Sequence, residues 1–382
     1  MRILIFSTDD HMYPAGGAEH AMGEITKRLP HIEFDLICAR LRKGAPRCEK
    51  VKNVNIYRIG FGIPKLDGIL LTFLGCRKAL GLSKKRKYDL VWSVMATYGA
   101  FSAVRVKRKL NLPFFLTLQE GDPIEHILHK VRFVRSRFDE IFTEANGLQA
   151  ISTYLFKWAE DMGFKGNVKR VVPNGVDVSN FTQEFDKNEI KQLRDSFEFP
   201  EDAFILLTSS RLEVKNGVGD VVQALSLMPK DVCFVICGTG SLEDAIRKQV
   251  EDLGLKKRVR FMGFVKHDML PKLLNASDAF IRPSLTEGLG NSFLEGMATK
   301  RPVIATLVGG IPDFLFDGET GFACKPEDPE SIVRSVKRIK RLSDRERDEI
   351  LIRAYNMVIE TYNWDVISKQ MEGLFKETIL SV

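Results

Sequence analysis

No uninterrupted apolar run in this chain approaches the roughly 20 residues that a bilayer-spanning helix requires. Its six cysteines, at positions 38, 48, 76, 233, 237 and 324, are scattered, apart from Cys233-x3-Cys237 on one apolar run. They make neither a zinc-ligand spacing nor a disulfide framework, so a reducing, cytoplasmic setting is expected. The amino terminus, Met1-Arg-Ile-Leu-Ile-Phe, is too short for a secretory signal and reads as a buried strand. No repeat of roughly 20–50 residues and no low-complexity tract interrupts the chain. A recognition helix and an alternation of aromatic with basic residues are also missing, which argues against nucleic acid as a partner.

What is present is bulk and asymmetry. With 382 residues, of which 44% are hydrophobic, the chain is long and apolar enough for two packed cores. The net charge of +7 is unevenly spread. Residues 1–180 hold 29 Lys/Arg against 18 Asp/Glu, or +11, while the remainder holds 28 against 32, or −4. A basic front half suits anionic lipid headgroups, a phosphorylated acceptor or nucleic acid, and equally an ordinary solvated surface.

Short apolar runs alternate with longer amphipathic stretches, the pattern of parallel α/β sheets. Strands are expected at Ile3–Phe6, Phe34–Cys38, Val54–Ile59, Leu90–Met95, Phe114–Leu118, Leu148–Ile151 and Val168–Val172. Each is nearly all apolar, as a strand covered on both faces should be. Residues 124–142 repeat helically through Ile124, Ile127, Leu128, Val131, Val134, Phe138, Ile141 and Phe142. After Pro173-Asn174-Gly175-Val176-Asp177 a polar stretch runs from Ser179 to Pro200, where the domain boundary is expected. Strands resume at Phe204–Thr208, Val232–Cys237, Val259–Phe264, Ala279–Ile281, Val303–Ala305 and Gly321–Ala323. The fold class is therefore α/β. Two doubly wound, Rossmann-like domains at 1–180 and 181–360 are expected to face each other across a cleft, and 361–382 forms a last helix.

Four segments carry chemistry. Arg211 and Lys215 follow the first strand of the second domain, where open α/β sheets bind ligands. Arg forks onto phosphate oxygens and Lys acts as a point charge, so a diphosphate fits between them. Cys237-Gly238-Thr239-Gly240-Ser241 follows a strand and opens a helix, with Ser241 a candidate N-cap. It starts like a dinucleotide fingerprint, but Glu243 stands where the third glycine belongs. Glu287-Gly288-Leu289-Gly290-Asn291 should be a loop entering a helix near Asn291, with bare amides that favour an anion and Glu295 one turn further. Near the start, Gly16-Gly17 would admit a close backbone approach to a ligand. Asp9-Asp10-His11 reads as turn acids, since no matching cluster supports a metal site. A cationic pair, a glycine loop and two acids together suit a polyanion bearing hydroxyls, such as a nucleotide diphosphate sugar.

In order, these segments resemble glycosyltransferase family four, the retaining "glycosyl transferases group 1" of the GT-B fold. Gly16-Gly17-Ala18-Glu19 is similar to the family's first loop, and Pro173–Asp177 to its entry into the interdomain linker. Arg211 with Lys215 resembles its diphosphate pair, and Glu287-x7-Glu295 its paired acids. Pro302–Thr306, Gly309–Asp313 and Asp317–Gly321 resemble the strands and turns that follow. The resemblance covers nearly the whole chain.

It implies that Arg211 and Lys215 neutralise the diphosphate, Glu287 contacts hydroxyls of the transferred hexose, and Glu295 holds the ribose. Backbone around Gly16, Gly17, Asn174, Gly238, Gly240, Gly288, Leu289, Gly290 and Asn291 would complete the donor contacts. No cofactor and no metal is implied, the nucleotide sugar being a substrate. The last helix would cross back to the first domain. The acceptor would be a glycan or a lipid-linked sugar. Lys130, Arg132, Arg135, Arg137, Arg77-Lys78, Lys84–Lys87 and Arg105–Lys109 make peripheral contact with an anionic inner membrane face a candidate. One departure stands out. Where many members have Thr-x-His, this chain has Thr117-Leu118-Gln119-Glu120-Gly121-Asp122. Gln119 cannot act as an acid or base near neutral pH, so either no side-chain base is needed or Glu120 or Asp122 takes part. A catalytically silent nucleotide-sugar-binding module is the alternative reading.

Overall fold

The structure is a computed structural model and describes residues 1–10 and 16–382. It divides into two compact units, Met1–Gly175 with Trp364–Val382, and Val176–Asn363. The division falls five residues before the boundary expected at 180/181, and the last segment begins at Trp364 rather than at 361.

In the first unit the chain alternates strands with covering helices. The order is β1 (Arg2–Phe6), α1 (Gly17–Arg28), β2 (Glu33–Ala39), β3 (Cys48–Val51), β4 (Val54–Ile59), α2 (Pro64–Ser83), β5 (Leu90–Val94) and α3 (Tyr98–Leu110). It continues through β6 (Phe114–Leu118), α4 (Ile124–Lys130), α5 (Arg135–Thr143), β7 (Gly147–Ala150), α6 (Thr153–Asp161) and β8 (Val168–Val171). The sheet order is β3-β4-β2-β1-β5-β6-β7-β8, parallel except for β3 against β4. β3, with the sequence Cys-Glu-Lys-Val, escapes sequence reading because an exposed antiparallel edge strand needs no apolar run. Residues 124–142 do not form one helix. A 3₁₀ turn at Arg132–Val134 separates α4 from α5, and only Phe138, Ile141 and Phe142 are buried.

The second unit begins with α7 (Val178–Phe181) and α8 (Lys187–Asp195), so helices occupy the polar stretch read as a linker. β9 (Phe204–Ser209), α9 (Val218–Ser226), β10 (Val232–Cys237), α10 (Glu243–Asp252), β11 (Val259–Gly263) and α11 (Leu270–Asn275) follow. Then come β12 (Ala279–Arg282), α12 (Asn291–Ala298), β13 (Val303–Thr306), β14 (Phe322–Cys324), α13 (Pro329–Arg341) and α14 (Asp344–Thr361). The sheet is fully parallel in the order β11-β10-β9-β12-β13-β14.

The chain then rejoins the first unit as α15 (Trp364–Leu380), burying Trp364, Ile367, Met371, Leu374 and Phe375 against that sheet. Phe375 packs at 5.0 Å from Trp92 and 5.2 Å from Phe115, ring centre to ring centre. The helix lies so close to β7 that a Cβ on Gly147 would fall 2.2 Å from Thr378 Oγ1.

Both sheets reverse their winding at one point. In the first, β1 lies between β2 and β5; in the second, β9 lies between β10 and β12. In doubly wound sheets the loops leaving such neighbouring strands diverge to opposite faces and open a crevice beyond their carboxyl ends. Arg211 with Lys215 and Glu287 with Glu295 follow the two strands that flank the second of these points, whereas Gln119–Asp122 follow β6, one strand beyond the first.

Candidate active site

In the second unit, the loop after β9 carries Arg211, exposed, and Lys215, half-buried. The loop after β12 carries Glu287 and runs into α12. The two loops are joined across the switch point, because the Leu285 amide donates to the Lys215 carbonyl at 2.7 Å. Asn216 Nδ2 donates to the Arg211 carbonyl at 2.6 Å, closing the cationic loop on itself. Gly217, at φ +66°, then lies against the Pro283 carbonyl, 2.1 Å from where a Cβ would stand. Lys215 is thus carried on a turn fixed to β12, not on a free surface loop.

Glu287 is held by a residue that sequence reading did not single out. The buried Arg282 guanidinium pairs with its carboxylate at 2.5 Å, stacks 4.3 Å from the Phe293 ring centre and donates to Ser284 Oγ. Arg282 occupies the last position of β12, where a long buried side chain reaches over the carboxyl edge. The backbone of Glu287 is clamped as well. Its carbonyl accepts from the Gly310 amide at 3.1 Å, and a Cβ on Gly309, at φ +57°, would lie 1.8 Å from that oxygen.

Gly290, at φ +95°, serves as the N-cap of α12 without a side-chain cap, leaving the first amides of the helix uncovered by a capping group. Gly288 donates its amide to Glu287 Oε1 at 3.2 Å, Leu289 is buried, and Asn291 begins the helix as expected. Three hydroxyls near this edge, on Thr208, Ser210 and Ser292, are buried with no hydrogen-bond partner. Such orphans are uncommon in folded proteins and mark places that a ligand or water completes.

Glu295, one turn into α12, is buried and its Oε1 lies 3.0 Å from His267 Nε2. His267, in the loop after β11, stacks edge-on against Phe181 at 5.1 Å. No motif in the sequence points to His267, because its partner is 28 residues away.

Gly238 and Gly240 answer to a packing constraint that the sequence does not show. A Cβ on Gly238, at φ +138°, would stand 1.8 Å from the Ser210 carbonyl, and one on Gly240 would stand 2.3 Å from that of Leu212. The two glycines let the loops after β9 and β10 interlock through the Leu212 amide on Thr239 and the Leu242 amide on Leu212. Ser241 is not an N-cap either. It hydrogen-bonds Glu213 at 2.8 Å, an interaction that draws the Glu213 carboxyl below its ordinary range, while Leu242 caps α10.

The first unit presents a second cluster at the carboxyl ends of β5 and β6, beside its switch point. Glu120, just past β6, is fully buried, with Oε1 accepting from the Ala96 amide at 2.7 Å and Oε2 from the Gln119 amide at 2.8 Å. Burial pushes its carboxyl up to about 7 against those hydrogen bonds, and the nearby Asp122 charge adds to the rise. Ala96 follows Met95, whose φ of +68° ends β5 one residue earlier than expected. Gln119 accepts from Asn174 Nδ2 at 3.0 Å. Asn174, grouped with the donor residues on sequence, therefore belongs to this first-unit cluster. Asp122 is half-buried in the loop before α4.

Gly16 caps α1 and Gly17 begins it, both exposed, and a Cβ on Gly17 would meet nothing within 4 Å. Packing therefore does not require glycine at position 17. The neighbouring Tyr13–Ala15, and His11 of the Asp9-Asp10-His11 reading, lie outside the described residues. Asp10 itself is a buried partner of Arg58 at 2.6 Å, and burial raises the Asp9 carboxyl despite the Arg42 charge. Among the described residues no group of three or more His, Cys, Asp or Glu is placed to hold a metal ion, and no helix is long and apolar enough to cross a membrane.

Comparison with known proteins agrees with this geometry. Residues 15–180 match the model for "Glycosyltransferase Family 4", and residues 189–357 match the one for "Glycosyl transferases group 1". An uncharacterized glycosyltransferase of Methanocaldococcus jannaschii is 26% identical over 356 residues, 87% of this chain and 86% of that protein. The N-acetyl-alpha-D-glucosaminyl L-malate synthase of Bacillus anthracis is 31% identical over 207 residues, 53% of each chain. Among solved structures, Anabaena HepE in complex with UDP-glucose superposes with a TM-score of 0.80 at 20% identity, covering all of both chains. Sucrose-phosphate synthase from Thermosynechococcus elongatus reaches 0.88 at 19%, again over the full length of both. The fold is GT-B, and the chain belongs to the family-four, group 1 glycosyltransferases.

Proposed function

We propose that this glycosyltransferase moves a hexose from a nucleotide diphosphate sugar to a glycan or lipid-linked acceptor, with retention of anomeric configuration and without a bound metal. The observation that carries this reading is the fixed pairing of the Lys215 turn with the Glu287 loop through Leu285, beside the uncapped start of α12. That pairing sets cations, bare amides and a carboxylate around one switch point. Anabaena HepE is a fold neighbour that was crystallised with UDP and with UDP-glucose, which fits a donor of this class.

In this reading Arg211 and Lys215 neutralise the departing diphosphate, the largest single contribution to the rate. The amides at Leu289, Gly290 and Asn291 supply a further positive end. Glu287, anchored by Arg282, accepts hydrogen bonds from hydroxyls of the transferred sugar. Glu295, oriented by His267, holds the ribose. Gly16 and Gly17 would let the phosphates approach the start of α1. Retention follows the family resemblance, with a donor phosphate oxygen taking the acceptor's proton on the face from which the diphosphate leaves. Gln119 and Asp122 then orient the acceptor, and the buried Glu120 holds the loop they stand on.

Thermal unfolding against UDP-, GDP-, ADP- and dTDP-sugars in the presence of EDTA tests the donor site. One nucleotide class should raise the melting temperature, with stabilisation of about 2.7 kcal/mol at 100 times its Kd. Lys215→Ala should abolish that shift and lower transfer by about 10²–10³-fold. The anomeric configuration of the product, read by NMR, tests retention. A shift that appears only with added divalent metal would overturn metal independence.

A further inference from the structure

Helix α2 (Pro64–Ser83) is apolar nearly all round, a pattern that belongs to helices buried on every side. Here only one side is covered, through Leu71, Gly75, Cys76 and Ala79, chiefly against α3. The other side leaves Phe73 60% exposed and Ile69 50% exposed, with Leu66 and Leu74 beside them. The loop that enters the helix continues the patch with Phe61, also 60% exposed, and Ile63.

That loop is built to hold its shape. Asp67, fully buried in the first turn of α2, accepts the amides of Phe61, Gly62 and Ile63 at 2.7–3.0 Å. Gly60 and Gly62 take φ of +119° and +87°, and a Cβ on Gly60 would stand 2.2 Å from the Asp67 carboxyl carbon. A buried charge and two left-handed glycines are thus used to present two large apolar side chains to solvent. Phe61 and Ile63 follow β4 at its carboxyl end, so the patch begins on the edge of the sheet that carries Gln119 and Glu120.

The charge around the patch has one sign. Over α2 and α3 the only acid is Asp67, which is buried, whereas Lys65, Arg77, Lys78, Arg105, Lys107, Arg108 and Lys109 are all basic. Glu140 of α5 and Glu144 just after it take up Lys107 and Arg108. Arg105 lies over the Phe73 ring at 5.3 Å, placing a cation at the border of the apolar patch. Lys84, Lys85 and Lys87 extend the basic rim past the end of α2. An apolar stripe on one helix with a rim of cations and no exposed carboxylate is complementary to a surface that is greasy beneath and negative above.

We propose that this face of the first unit docks on an anionic lipid bilayer, Phe61, Ile63, Leu66, Ile69 and Phe73 entering the headgroup boundary while the Lys/Arg rim neutralises lipid phosphates. The docked helix lies in the plane of the surface. Resting on the proposed transfer reaction, the inference narrows the acceptor to one borne by lipid, delivered to the carboxyl edge of the first sheet. Binding itself needs no donor, so it is tested apart from catalysis.

The experiment is flotation of the full-length protein with vesicles of phosphatidylcholine alone and of phosphatidylcholine mixed with phosphatidylglycerol, at low and high salt. The protein should float with the mixed vesicles at low salt, and weaken as salt screens the rim. Ile69→Asp and Phe73→Asp should each lower partitioning by about tenfold or more. The milder Ile69→Ser and Phe73→Ser serve where the acidic versions melt early. All four should leave the donor-induced thermal shift intact, since none touches the second unit's loops. Absence of flotation at low salt overturns the proposal and leaves the face to a protein partner. Equal binding to neutral vesicles, or mixed-vesicle binding unchanged in both Phe73 and Ile69 variants, overturns it as well. Variants that turn a dimer into a monomer without changing flotation would assign the face to self-association instead.

Discussion

The carboxyl edges of the two sheets are built from similar materials used in opposite ways. In the second unit Arg211 is exposed and Lys215 and Glu287 half-buried, Arg282 and Glu295 are buried behind them, and the glycines beneath fix the backbone. In the first unit the acid that follows β6 is turned inward. Glu120 is fully buried and both its oxygens are taken by backbone amides. A charge left at the surface can act on a ligand's charge, whereas a charge spent on the backbone can only set shape. In the proposed reaction this difference would give electrostatic work to the second unit and orientation to the first.

The most damaging way to test that division is to move the backbone under Glu287. In Gly309→Ala the new methyl would overlap the Glu287 carbonyl, in a left-handed conformation that alanine resists. Destabilisation of roughly 4 kcal/mol or more is expected from the clash and the strain together. Urea unfolding measures it, and donor binding should fall with it. A variant as stable as the parent that still binds donor would mean that the loop is soft, and that Glu287 is not held as its contacts indicate.

The opposite test changes the inward acid. Protonated Glu120 has a folded value of about 7, above its ordinary unfolded value, so its contribution is fully present below about pH 4 and disappears as pH rises through 7. Between those limits the folded state binds the extra proton, so stability falls with increasing pH, by roughly 3 kcal/mol for this group. Glu120→Gln, which cannot ionise, should flatten that slope in denaturant titrations at pH 5 and pH 8. An unchanged slope would place the titration on another group and remove the argument that burial governs Glu120.

The same contrast explains what could be read from the sequence. All thirteen strands other than β3 coincide with expected runs, most of them short and apolar, since a strand covered on both faces has no other way to be stable. β3 does not, being a half-exposed antiparallel edge. Charged pairs at close spacing, Arg211 with Lys215 and Glu287 with Glu295, stand out because chemistry needs those residue types near a glycine loop. Their supports, Arg282 and His267, stay hidden. Arg282 looks like the end of an apolar strand, and His267 meets Glu295 only once the chain is folded. Gly238 and Gly240 are legible as a turn, but the packing that requires glycine there is not. That the Ser210 and Leu212 carbonyls occupy the space a Cβ would need at these two positions is a fact of tertiary packing.

Gln119 gives the finest measure of the division between the units. Its side-chain oxygen is already engaged by Asn174 Nδ2 at 3.0 Å, which fixes the amide's orientation and leaves its NH₂ as the group available to an acceptor hydroxyl. A neutral hydrogen bond of that kind contributes about 0.5–1.5 kcal/mol, so Gln119→Ala should lower kcat/KM for transfer by about tenfold at most. Slow hydrolysis of the donor, which needs no acceptor, should be unaffected. Asn174→Ala should produce a smaller loss of the same kind, by freeing the Gln119 amide to rotate. A loss of a thousandfold in Gln119→Ala, or a parallel loss of donor hydrolysis, would break the comparison. It would mean that the first unit stabilises the transition state directly and that the surface charges of the second unit are not the main source of rate.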